Sequence, residues 1–324
     1  MPRSPESPQA GHQRRTGAEP FAPGSLLWEL AGDHRVNLVV LMPSLMQVMH
    51  PVIGDALSRI PVTTTDPWGR RARSLDSLRL WVYGGAGALA EGRRLVELHK
   101  PVRGRDVDGR EFSALNPEVW AWVVLSGYLG FLTQCNVFGE PLGPAGERRL
   151  YAEMQNLARI LGVRERHIPP TVADFWAYYD TMVATRLVNH PYVHRVLAVT
   201  RRPPPPPGLP GPLAPAWRAL APALGRPAVW LVYGTFPPAV RSILGVPWSQ
   251  RDERVFRLVG ETVRYLAKIS PERLRYARMA RLARELARAQ AAGKPAAGCR
   301  RRLARCEAGM RGRQSRSLAG SSRR

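Results

Sequence analysis

Seven histidines, three cysteines and an abundance of arginine are the side chains from which this sequence could build chemistry. The histidines form no His-Glu-x-x-His pair and no Cys/His cluster, so a tetrahedral zinc site has little to rest on. His12 lies in a Pro/Ser-rich start, and His34, His167, His190 and His194 lie beside prolines or charges. His50 and His99 stand apart because each ends a strongly apolar segment. An imidazole in that position can ligate a metal or move a proton, although taken alone each reads first as a hydrogen-bonded structural histidine. Gly85-Ala86-Gly87 follows Leu78–Tyr83 and invites a dinucleotide reading. The third glycine is replaced by Ala90 and no βαβ surroundings accompany it, so a close-packed helix crossing explains it better.

The elements that would position these residues are helical. Asn116-Pro117-Glu118 is a helix start, with asparagine as cap and proline in the first turn. Leu150, Met154, Leu157 and Leu161 make an amphipathic stripe that stops at Gly162. Thr171 caps a helix with Asp174 in its first turn, and Ser25 caps a short one carrying Leu26, Leu27 and Leu30. Val36–Met49 is apolar on nearly every side and interrupted by Pro43, the mark of a deeply buried element. A loop is expected over Ser58–Trp68, then helix from about Gly69 to His99 with a glycine-rich break at Gly84–Gly87. Gly104–Arg110 reads as a polar turn, and Arg201–Leu213, with its run of five prolines, as an extended connector. Strand alternation is strong nowhere. The expected fold is all-α: one large helical domain over residues 24–290, between a disordered start at 1–23 and a disordered arginine-rich tail at 291–324.

Composition narrows the function classes. Hydrophobic residues make up 44% of the 324, enough for a sizeable core, so global disorder is excluded. The formal net charge is +23, yet the stretch from Pro271 onward holds 16 basic and 3 acidic residues, so the excess is largely a property of the tail. Such a tail could bind nucleic acid or an anionic membrane electrostatically, although no aromatic residue follows Tyr276 to stack on bases. Only three of the 48 basic residues are lysines, the bias a GC-rich coding sequence produces by itself. Cys135, Cys299 and Cys306 have an odd count and no framework spacing, which fits a reducing compartment and a cytoplasmic location, with any membrane contact peripheral. The start has no apolar signal-peptide core. The uncharged stretch Val119–Gly139 is long enough to span a bilayer, but it includes Ser126, Gln134 and Asn136 and reads as a buried helix, so no integral membrane segment is expected.

Several short motifs recur in order: Gly32-Asp33-x-Arg35, Gln47-x-x-His50-Pro51, and Asp66-Pro67-Trp68-Gly69-Arg70-x-x-Arg73-Ser74. His99-x-x-Val102-x-Gly104, Ala114-Leu115-Asn116-Pro117-Glu118, Trp122-Val123 and Phe138-Gly139-x-Pro141-Leu142 follow. This succession resembles the MpaB-type oxygenase family, whose catalytic domain is shared with the latex clearing protein that cleaves rubber. The resemblance implies a helical protein that holds haem b non-covalently, in keeping with the absence of Cys-x-x-Cys-His, and uses dioxygen. It implies oxidative cleavage of a carbon–carbon double bond in an apolar substrate such as an isoprenoid chain. It makes His99 the expected iron ligand and puts Arg70, Arg73 and Ser74 near the open face, with the arginines orienting haem propionates or bound oxygen. His50 is expected nearby as a hydrogen-bonding residue, with Trp120, Trp122, Phe131 and Leu132 as an apolar wall. The pattern departs at Trp122-Val123-Val124, where many relatives carry Trp-Val-His, so Val124 supplies no imidazole there. The same resemblance admits a non-catalytic haem-binding or interaction relative.

Overall fold

Proline and capping side chains set where the helices begin. In the computed structural model, which describes residues 17–59, 65–105 and 111–321, Asp66 Oδ1 accepts from the Gly69 amide and Pro67 opens the helix behind it. Asn116 Oδ1 caps the helix at Pro117 in the same way, and Thr171 with Asp174 closes a reciprocal capping box. Ser25 does not cap: its hydroxyl donates back to the Ala22 carbonyl.

In chain order the helices are α1 (Leu26–Leu30), α2 (Val36–Val39), α3 (Leu41–Val48), α4 (Pro51–Arg59), α5 (Pro67–Tyr83) and α6 (Gly87–His99). After a small hairpin come α7 (Pro117–Leu125), α8 (Gly127–Asn136), α9 (Pro144–Ile160), α10 (Val172–Thr185), α11 (Pro191–Arg201) and α12 (Ala214–Thr235). The series ends with α13 (Pro238–Ile243), α14 (Gln250–Ile269), α15 (Glu272–Arg275), α16 (Arg278–Ala291) and α17 (Ala297–Ser321). The hairpin is antiparallel, β1 (Arg103–Arg105) with β2 (Glu111–Ser113), and Gly104 pairs with Phe112. It replaces part of the expected polar turn, whose residues 106–110 lie outside the described residues.

The Val119–Gly139 run is two buried helices, α7 and α8, parted at Ser126. No single helix among the described residues is long and apolar enough to cross a membrane. Tyr128 of α8 meets Tyr151 of α9 and Phe175 of α10 edge-on at 5.2 and 4.8 Å, which locks these three helices at the centre of the core. The expected proline connector is extended, and it is pinned from both sides. The indole N–H of Trp68 donates to Pro204 and that of Trp217 to Pro203. It does not divide the molecule, because α11 and α12 on either side pack on one another.

Parts of both ends make contacts with the body of the protein. Residues 1–16 lie outside the described residues, but Ala18 and Phe21 are buried and the Glu19 amide binds Asn156. The tail beyond 291 is helical in α17. It buries Leu303, Met310 and Gln314, and is held by Arg313 on Asp76 at 2.7 Å and Gln314 on Ser77 at 2.9 Å. The carboxylates of α5 and α16 give these arginines inward partners, which their crowding along the sequence conceals.

Candidate active site

His99 closes α6, and its half-buried ring is fixed from two directions. Nδ1 lies 2.8 Å from the Leu95 carbonyl one turn back, and the ring packs on Trp120 of α7 at 5.1 Å. A carbonyl oxygen only accepts, so Nδ1 carries the proton and Nε2 presents its lone pair. Trp120 is itself anchored, its indole N–H donating to the Leu161 carbonyl at the end of α9. Burial pulls the His99 pKa down, the Leu95 hydrogen bond opposes that, and the charges of Arg70 and Arg94 add to the depression. The side chain is therefore a neutral imidazole held in one tautomer. Holding one ring nitrogen in this way is how proteins prepare the other to bind a metal.

Of the motif on α5, Arg70 is the member whose charge acts on His99. Burial lowers the pKa of the Arg70 guanidinium, the Tyr192 phenol opposes this, and Arg73 adds to it. No hydrogen bond or ion pair engages the Arg70 side chain among the described residues. Arg73 turns away to Asp66 at 3.0 Å and braces the start of its own helix. Ser74 is exposed to solvent, so its hydroxyl does not join the site.

His50 sits at the corner between α3 and α4, with Nδ1 buried and unpartnered. Burial lowers its pKa, Arg186 lowers it further and Glu118 opposes. The indole nitrogen of Trp122 and the phenol of Tyr178 are likewise buried without partners, and their rings are 6.3 Å apart. Gln47, one turn before His50, donates to the Val123 carbonyl and ties this corner to α7. Trp120, Trp122 and Phe131 are buried and Leu132 is half-buried, as expected of a wall, but of these Trp120 is the one stacked on His99. Val124 is buried on the same face of α7, one turn beyond Trp120.

Sequence reasoning passed over the Asp55–His190 pair. His190 Nδ1 accepts the Tyr192 amide as cap of α11, so Nε2 carries the proton toward Asp55 Oδ1 at 3.1 Å. Both side chains are buried, and a Cβ at Gly54 would lie 2.6 Å from the imidazole. The pair joins α4 to α11 and so holds Tyr192 beside Arg70. Its one local signal was His190-Pro191, a helix start with histidine as cap.

A cavity of about 310 Å³ is lined by Ala56, Arg59, Pro101, Val102, Arg103 and Phe112; His99 and Arg70 are not among its lining residues. The site offers a neutral imidazole with one lone pair free and a guanidinium unpaired among the described residues. No group of three or more His, Cys, Asp or Glu side chains capable of holding a metal ion occurs among the described residues.

The family model for the ER-bound oxygenase mpaB/B′/Rubber oxygenase catalytic domain matches residues 28–265. Two curated relatives are the uncharacterized protein Mb2261 of Mycobacterium bovis and the uncharacterized protein Rv2237 of Mycobacterium tuberculosis. Each is 24% identical over 245 residues, covering 72% of this chain and 91% of its own length. No solved structure matches.

Proposed function

Since the chain belongs to the mpaB/rubber oxygenase catalytic-domain family, we propose that it is a haem b-dependent oxygenase acting on an apolar substrate, with His99 as the iron ligand. The observation that carries the reading is the Leu95 carbonyl on Nδ1, which leaves Nε2 unprotonated beside Arg70. The residues fit the group. A histidine that is to hold the iron must be neutral and oriented, and His99 would meet both needs. A porphyrin brings carboxylates, and Arg70 has no anion of its own among the described residues. A bound haem would supply the iron centre at which dioxygen is used.

The chain's own contributions are separable. Trp120 sets the tilt of the imidazole, and Arg70 binds a carboxylate or orients a polar oxygen on the open side. The apolar faces of α7 and α8 suit a hydrocarbon, and cleavage of an isoprenoid double bond is the reaction proposed. Val124 and the exposed Ser74 favour a second reading, a relative that binds haem without turnover, because neither offers a polar group beside His99.

The test is the ultraviolet–visible spectrum of protein expressed with haem precursor, beside His99→Ala, with a pyridine haemochrome assay. Near-stoichiometric b-haem whose Soret band shifts or vanishes in the variant is expected. A folded, colourless protein that ignores added haem overturns the proposal. Oxygen uptake with an isoprenoid substrate then separates the oxygenase from the inactive relative.

A further inference from the structure

Helix α14 has two apolar faces, and one of them is covered. Phe256, Gly260, Val263 and Ala267 face the protein, with Phe256 set edge-on to Phe138 and Trp230. About a third of a turn around the helix lies a second row: Val255, Leu258, Tyr265, Leu266 and Ile269, which are 43, 62, 63, 50 and 61% exposed. Steps of three, seven, one and three residues keep these side chains in one stripe some 15 residues long. The stripe continues past the end of α14, because Leu266 and Leu274 (66% exposed) wall the same cavity of about 250 Å³ with Leu38 and Val263. An exposed apolar row of this length is not ordinary surface scatter.

The charges around the stripe indicate its occupant. Arg251 and Arg254 stand at its start, Arg257 flanks it and Arg273 follows it, all exposed, whereas Glu261 is the exposed carboxylate on α14. Lys268 is also exposed but pairs with Glu140, and Asp252 and Glu253 are occupied by Trp230 and Trp248. Both ends of the stripe are therefore basic. A second copy of the chain laid along it, parallel or antiparallel, would set arginine against arginine. An anionic lipid surface meets leucines and tyrosine with acyl chains and arginines with phosphates, the pattern of a helix lying in a bilayer interface. We propose that the α14 stripe, extended by Leu274, is a docking surface for an anionic bilayer. This rests on α14 and α15 alone and stands whether or not His99 holds haem.

The test is co-sedimentation of the full chain with vesicles of phosphatidylcholine containing about one-third phosphatidylglycerol, and with pure phosphatidylcholine. The wild type should sediment with the anionic vesicles and release as salt rises. Leu258→Glu with Leu266→Glu and Ile269→Glu, all at exposed positions, should weaken binding by at least about tenfold with an unchanged circular dichroism spectrum and melting curve. Arg251→Gln with Arg254→Gln and Arg257→Gln should weaken binding and flatten its salt dependence. The proposal fails if the wild type stays in the supernatant, or if the triple glutamate variant sediments equally. It also fails if light scattering shows a dimer that this variant breaks while vesicles bind neither protein.

Discussion

Replacing Glu91 with alanine removes the centre of the polar seam that joins the His99 helix to its neighbours. The carboxylate is 1% exposed. It accepts from Arg94 Nε and Nη2 at 2.8 and 2.7 Å and from the Ser77 hydroxyl at 3.1 Å. Ser77 in turn accepts from Gln314 of α17, so one chain of bonds crosses α6, α5 and α17. Removing one member of a buried pair costs about 3–5 kcal/mol, because its partner stays charged and uncompensated. Arg94 is 30% exposed and can swing into water, which favours the low end. Ser77 and Gln314 still satisfy one another. A loss of about 3 kcal/mol is therefore expected, read by urea unfolding with linear extrapolation. Glu91→Met together with Arg94→Met refills the space without stranding a charge, and should recover at least half of the loss. A loss below about 1 kcal/mol, the range of an exposed pair, would refute the seam. So would a double variant as unstable as the single one.

Two further predictions concern pH. Burial raises the pKa of Asp33, but hydrogen bonds from Arg35 and Arg275 outweigh it and hold the carboxyl below its ordinary value. The resulting stability is complete above the unfolded value of about 3.9 and is lost as the pH falls through the folded one. Asp33→Asn should cost about 3 kcal/mol near neutrality, and its melting temperature should converge on the wild type's at acid pH. A gap that persists undiminished there would count against this account. His50 is displaced in the other sense, since burial disfavours its charged form. As the pH drops below about 6.5 the unfolded chain takes up a proton that the folded one resists, so stability declines. His50→Gln should flatten that decline between neutrality and mildly acid pH, and parallel curves for variant and wild type would sink the idea.

What was legible in the sequence was local. Asp66-Pro67, Asn116-Pro117 and Thr171 with Asp174 each complete their hydrogen bonds within three residues, so the text of the chain contains the whole interaction. The order of motifs singled out His99 and Arg70, and Arg70, at the start of α5, is near enough for its charge to act on His99 at the end of α6. It did not reveal burial, which is why Ser74 could be placed near the site and is instead in solvent. Pairs distant in sequence were invisible. His190 finds Asp55 across 135 positions, and Gln314 finds Ser77 across 237. The partners of two arginines in the arginine-rich tail, Asp76 and Glu285, likewise belong to other helices.

The distribution of those carboxylates also explains why Arg70 matters. Helix α5 carries four arginines, and three have partners: Arg71 on Asn37, Arg73 on Asp66 and Arg79 on Asp76. Arg70 has none among the described residues, although burial disfavours its charge and Arg73 repels it. Neutral His99 beside it adds no compensating charge. A half-buried guanidinium without a partner carries part of the cost that a buried charge normally avoids by finding one. Under the proposed function, an anionic or polar group bound near Arg70 would offset that cost. Under that proposal the two residues make one argument: the imidazole would offer a lone pair to a metal, and the guanidinium would meet the negative charge that arrives with it.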